Sequence, residues 1–158
     1  MSTQTMLQSF LTMHLTGFVM VAGTTVVDFV AFRQFWRQYE LDPAKGRAVF
    51  QALSKFPILL RIGIVLIILS GVGMMAITHG VFGEQTWFRI KFALVIIVIL
   101  NGLITGRRQV LKLNGILDTA GDSISGKIER ARRNLRLFHY SQLTLLFIIL
   151  FLSVFKFN

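Results

Sequence analysis

Cysteine is missing from this 158-residue chain, which excludes disulfides, thiolate metal sites and thiol catalysis. Proline occurs only at Pro43 and Pro57, both in one polar connection. Acidic residues are scarce, 7 against 17 basic ones, and the formal net charge is +10. Charge of either sign is nearly absent from two long stretches: Ile58 to Ile77 contains Arg61 alone, and Phe92 to Thr105 contains none. No fixed-period repeat and no low-complexity segment is present, so repeat arrays are excluded as well.

What is abundant is apolar. A hydrophobic content of 54% and a mean hydropathy of +0.66 take the chain outside the soluble globular class. Its length allows about four crossings of roughly 20 residues plus connections. The expected fold is therefore an all-α integral membrane protein, a single domain built as a four-transmembrane-helix bundle. The crossings are placed at about 8–32, 58–78, 87–106 and 138–156. Met1 to Phe10 has no basic n-region, so the first span reads as a retained helix.

The basic residues set the expected orientation. Arg33, Arg37, Lys45, Arg47, Lys55 and Arg61 belong to one connection, and Arg107, Arg108, Lys112, Lys127, Arg130, Arg132, Arg133 and Arg136 to another. Both connections fall on one side of a four-crossing chain, and the positive-inside rule makes that side cytoplasmic, with N-out and C-out termini. The charge is thus read as membrane topology and not as nucleic-acid binding. Anionic lipid head groups are compatible partners for the same loops.

Along the chain, His14, Gly17, Val21, Thr24 or Thr25, and Asp28 recur at helical spacing and share a small, polar face of the first span. Asp42-Pro43 predicts a helix start, with a capping carboxylate and proline at the first position, opening a short basic helix over Ala44 to Phe56. In the second span Gly63, Ile67, Ser70, Gly71, Met74 and Thr78 form a close-packing face. The turn-rich His79-Gly80-Val81-Phe82-Gly83 predicts that spans two and three are antiparallel neighbours. Arg89 and Lys91 lie in the first turns of the third span, the end where the helix dipole disfavours cations, which favours an anionic partner there. Between spans three and four, Gly121-Asp122-Ser123 and Gly126 predict the break of a cytoplasmic helical hairpin that projects from the membrane.

Two polar clusters separate by depth. The outer one holds Met13, His14, Met20, Met74, Met75, His79, Arg89 and Lys91, and the inner one Asp28, Arg61, Asn101, Arg107, Arg108 and His139. His14 and Asp28 lie about 21 Å apart along the helix, too far for one small site. Three readings of His14 stay open: axial ligand to a haem with Lys91 or Arg89 on a propionate, one of a Met and His set for Cu(I), or a hydrogen bond to a neighbouring helix. Asp28 is expected to pair with Arg61, Arg107 or Arg108, or else to serve a proton or cation relay. His139 and His79 read as structural and solvated, respectively.

Met13-His14-Leu15-x-Gly17 with Gly23, Gly71-x-Gly73-Met74, and Trp87-Phe88-x-x-Lys91-x-x-Leu94-Val95 together resemble small four-helix bacterial membrane proteins. These are the HemJ-type protoporphyrinogen oxidases and the CopD-like copper-handling proteins, and the resemblance covers the first three spans. It implies a bacterial inner-membrane oxidoreductase that binds haem b, with His14 and Lys91 as the catalytic pair. Arg89 and Met74 are added as cofactor contacts and His14 as the metal ligand. The alternatives are a copper or small-solute permeation protein using the Met and His positions, and a structural subunit with a basic docking hairpin. A homodimer through the small-residue faces is the expected assembly.

Overall fold

The computed structural model describes residues 2–53, 56–118 and 125–155. It is helical over almost all of those segments: α1 (Thr3–Leu41), α2 (Pro43–Leu53), α3 (Phe56–Ile77), α4 (Thr86–Leu100), α5 (Arg107–Asp118) and α6 (Ser125–Val154). A short 3-10 turn, Val81–Glu84, precedes α4, and a π-helical segment, Asn101–Gly106, carries α4 into α5 without a break in the rod. Four helical stretches are long and apolar enough to cross a membrane, which makes this a multi-pass membrane protein. The Gly121-Asp122-Ser123 break and the end of the fourth span at 156 lie outside the described residues.

Local chemistry fixes the helix ends. The Ser2 hydroxyl accepts from the Thr5 N–H at 3.2 Å and caps α1. Asp42 is extended, accepts from the Ala44 N–H at 2.9 Å and starts α2 with Pro43 in the first position, as its sequence predicts. His79 and Gly80 both take positive φ, 50° and 75°, and reverse the chain after α3.

Helix α1 is the centre of the fold. Its contacts with α3 run Phe10 to Gly73, His14 to Ser70, Gly17 to Gly63, so the pair is antiparallel. On another side Phe29 and Phe32 meet His139, and Glu40 meets Arg132, which makes α6 antiparallel to α1 too. Helix α4 pairs with α6, Gly106 lying against Phe138 and Asn101 against Gln142. The second and third spans run antiparallel, as the short connection predicts, but their backbones make little close contact: α3 packs chiefly on α1 and α4 on α6. The physical reason is that glycines draw α1 and α3 together, while α4 presents branched side chains. It reaches α1 and α3 through Leu94, Val95 and Val98 in a core with Val21, Leu146 and Ile149.

A second core sits at the basic end. Phe32, Phe35 and Trp36 of α1 pack with Phe50 and Leu53 of α2, Leu113 of α5, and Ala131 and Leu135 of α6. Phe35 and Leu113 are fully buried. The two basic connections thus fold on each other over an aromatic floor. Helix α5 and the start of α6 pack on that floor through Leu113, Ala131 and Leu135, burying their apolar faces.

The α1–α3 seam is the tightest contact in the bundle. A Cβ on Gly63 would lie 2.9 Å from the Val21 side chain and 3.0 Å from the Gly17 carbonyl oxygen, whereas one on Gly23 would meet nothing within 4 Å. Gly63→Val should therefore lower stability by about 1–3 kcal/mol, the usual cost of overpacking, and Gly23→Ala should leave it unchanged or raise it. Thermal unfolding of both variants in the same detergent measures the difference.

Candidate functional site

His14 projects from α1 onto α3, and its Nδ1 lies 2.9 Å from the Ser70 hydroxyl and 3.2 Å from the Ile67 carbonyl oxygen. The surroundings decide which atom carries the proton. A carbonyl can only accept, and the Ser70 hydroxyl already has the Leu66 carbonyl within hydrogen-bond distance for its own proton. Every partner is satisfied when Nδ1–H donates toward Ile67 and Ser70 while Ser70 donates to Leu66. The opposite tautomer would set the Nδ1 lone pair against the Ile67 oxygen. The lone pair therefore resides on Nε2, which has no hydrogen-bond partner among the described residues.

The ring rests over Gly71, where a Cβ would stand 3.7 Å from Cε1, and Ser70 beneath it is fully buried. An imidazole oriented through Nδ1 on a backbone carbonyl, with Nε2 available, is the usual disposition of a metal-binding histidine. It is also a sound helix–helix hydrogen bond inside a membrane. Lys91 of α4 is half-buried. The structure thus brings together two residues from two crossings, His14 of α1 and Ser70 of α3.

No protein-family model, curated protein or solved structure matches this chain.

The geometry of the chain itself therefore carries the argument, and it sorts the other outer-cluster residues. Arg89 is exposed and its Nε donates to the Gly83 carbonyl at 3.0 Å, tying the start of α4 to the preceding turn. Met74 is half-buried on α3, one turn beyond Ser70 and Gly71. Met13 lines a hollow with Met6, Ser9 and Phe10, Met20 abuts Gly63, and the Met75 methyl lies near Gly83. His79 is exposed in the reversing turn. Among the described residues no three His, Asp or Glu side chains gather as a metal site.

The inner cluster is rearranged relative to expectation. Asp28 is half-buried and forms no hydrogen bond or ion pair among the described residues; the salt bridges there join Lys45 to Asp42 and Arg132 to Glu40. Arg61 and Arg107 are both exposed, so the expected pairing of Asp28 with Arg61 or Arg107 is not formed. Asp28 lies on the packed side of α1, one turn from the buried Thr24, Thr25 and Phe32. His139 is buried and structural, its Nδ1 donating to the Leu135 carbonyl at 2.7 Å and its ring set among Phe29, Phe32 and Phe138.

One polar pairing was not legible in the sequence, which placed Asn101 in the inner cluster but gave it no partner. Asn101 Nδ2 donates to the Gln142 side-chain oxygen at 3.0 Å, and Gln142 Nε2 donates to the Val98 carbonyl at 3.2 Å. These bonds accompany the π-helical turn, where widened backbone register leaves carbonyls in need of partners. The available signal was the adjacent Ser141-Gln142 at the head of an otherwise apolar span.

The tautomer is directly measurable. In the ¹⁵N spectrum of the protein in detergent, the His14 signal removed by His14→Ala should report a protonated Nδ1 and a bare Nε2. Ser70→Ala should leave that assignment in place, because the Ile67 carbonyl still accepts. A signal from a protonated Nε2 with bare Nδ1 contradicts the site as described.

Proposed function

We propose that this chain is a haem b-binding redox protein of the bacterial inner membrane, oriented N-out and C-out, with His14 as the residue that would hold the haem iron through Nε2. The observation that carries the reading is the anchoring of Nδ1 on Ile67 and Ser70, which leaves one donor atom free on an oriented ring. The donor set fits: imidazole is the commonest protein ligand of haem, and the half-buried Lys91 of α4 would supply a cation for a carboxylate. The hollows at Met6 to Met13 and at Ile97 to Leu145 do not include His14, so the fit rests on the donor set and not on an enclosed cavity.

When bound, haem iron supplies one-electron chemistry. The chain's own part is to hold the ring at a fixed angle through α3, to exclude water with apolar helix faces, and to place the Lys91 ammonium within reach of an anionic group. A porphyrinogen, itself carrying carboxylates, is the substrate class that the resemblance of the first three spans suggests. No observation favours the copper reading, since the methionine contacts are spread along α1 and α3.

A reduced-minus-oxidised absorption spectrum of the detergent-purified protein tests the reading. A Soret band is expected in the wild type and in Met74→Leu and His79→Ala, and is expected to be lost in His14→Ala. Absence of the band in wild type, or its persistence unchanged in His14→Ala, removes the proposal.

A further inference from the structure

On the outward side of the α4–α6 pair lies an open hollow of about 440 Å³, far from His14 and lined by Ile97, Leu100, Asn101, Ile104, Thr105, Ser141 and Leu145. Its walls are largely apolar, with Ile97, Leu100 and Ile104 exposed and Leu145 half-buried, as expected of a surface turned to acyl chains. Its polar atoms are less expected. The Asn101 side-chain oxygen and the Thr105 hydroxyl have no hydrogen-bond partner among the described residues, although the Asn101 amide nitrogen is engaged by Gln142. Ordinary lipid contact needs no such groups, and hydrocarbon gives them nothing to bond.

The site is also irregular where it needs to be. The π-helical turn Asn101–Gly106 forms one wall, and Gln142 holds the widened backbone in place through Val98. Such insertions in a helix are frequent at functional sites. Immediately beyond it, the exposed Arg108 follows in the first turn of α5, three residues after Thr105. From Ile97 to Thr105 the groove passes from apolar to neutral polar, and Arg108 adds a cation just past that end.

We infer that this groove is a binding site for one anionic phospholipid. An acyl chain lies along Ile97, Leu100, Ile104 and Leu145, a glycerol ester carbonyl accepts from the Thr105 hydroxyl, and the phosphate meets Arg108. The order of the three chemistries along the groove matches the order of tail, ester and headgroup along the lipid. The excess of basic over acidic residues, 17 to 7, selects an anionic headgroup over a zwitterionic one. This assignment is independent of any cofactor at His14.

The test is a comparison of melting temperatures for the full chain in detergent with added phosphatidylglycerol or with phosphatidylcholine of the same acyl chains. Phosphatidylglycerol should raise the wild-type Tm by about 5 °C more than phosphatidylcholine at saturation. Arg108→Gln, a change at an exposed position, should remove most of that excess, and Ile104→Trp, which fills the groove, should remove all of it. Lys45→Gln, an exposed cation on α2, should keep it. Native mass spectrometry should show one retained phosphatidylglycerol on wild type and none on Ile104→Trp; if Ile104→Trp does not fold, Arg108→Gln and Thr105→Val decide by the same two readouts. Equal shifts from the two lipids, an excess that survives Arg108→Gln and Ile104→Trp alike, or a neutral long-chain quinone stabilising where phosphatidylglycerol does not, overturns the assignment.

Discussion

The close approach of α1 and α3 is the constraint on which the rest of this structure depends. Gly17 and Gly63 lie face to face with no room for a side chain on either, and that contact sets the register of the two helices. Register places His14 three residues from Gly17 over Ser70, and the same register sets Phe10 against Gly73. In lipid there is little hydrophobic drive to bring one apolar helix to another, so backbone proximity and a buried hydrogen bond must supply the preference. Here both occur on one face of α1 within a single turn.

A different force assembles the basic end. Phe32, Phe35, Trp36, Phe50 and Leu113 are excluded from solvent in a core that resembles that of a soluble protein. It collects the ends of α1 and α6 and the whole of α2 and α5, which otherwise share no apolar span. The cationic residues then line its outside, and Arg132 is held both by Glu40 at 2.6 Å and over the Trp36 ring. The molecule thus has two cores under different rules, one governed by backbone proximity and one by apolar burial.

Much of this was legible in the residues. The number of long apolar helices, the cap at Asp42, and the small faces of α1 and α3 followed from hydropathy, proline chemistry and helical spacing, and those two small faces are the ones that meet. Which helices pair was not legible for α4, because a short connection brings only chain ends together and says nothing about what lies along the rods. The surroundings of Asp28 were not legible for a similar reason: its depth matches that of Arg61 and Arg107, but depth does not fix the direction of a side chain around a helix. Pairing of Asn101 with Gln142 depends on a π-turn, and sequence spacing assumes a regular helix.

The central claim is that His14 of α1 is held directly over Ser70 of α3. A chain without native cysteine allows this to be measured cleanly, by introducing His14→Cys with Ser70→Cys and oxidising the protein in its membrane. The account predicts a rapid intramolecular disulfide for that pair and none for His14→Cys combined with Gln142→Cys on α6. No cross-link between positions 14 and 70, together with efficient cross-linking of 14 to 142, would contradict it.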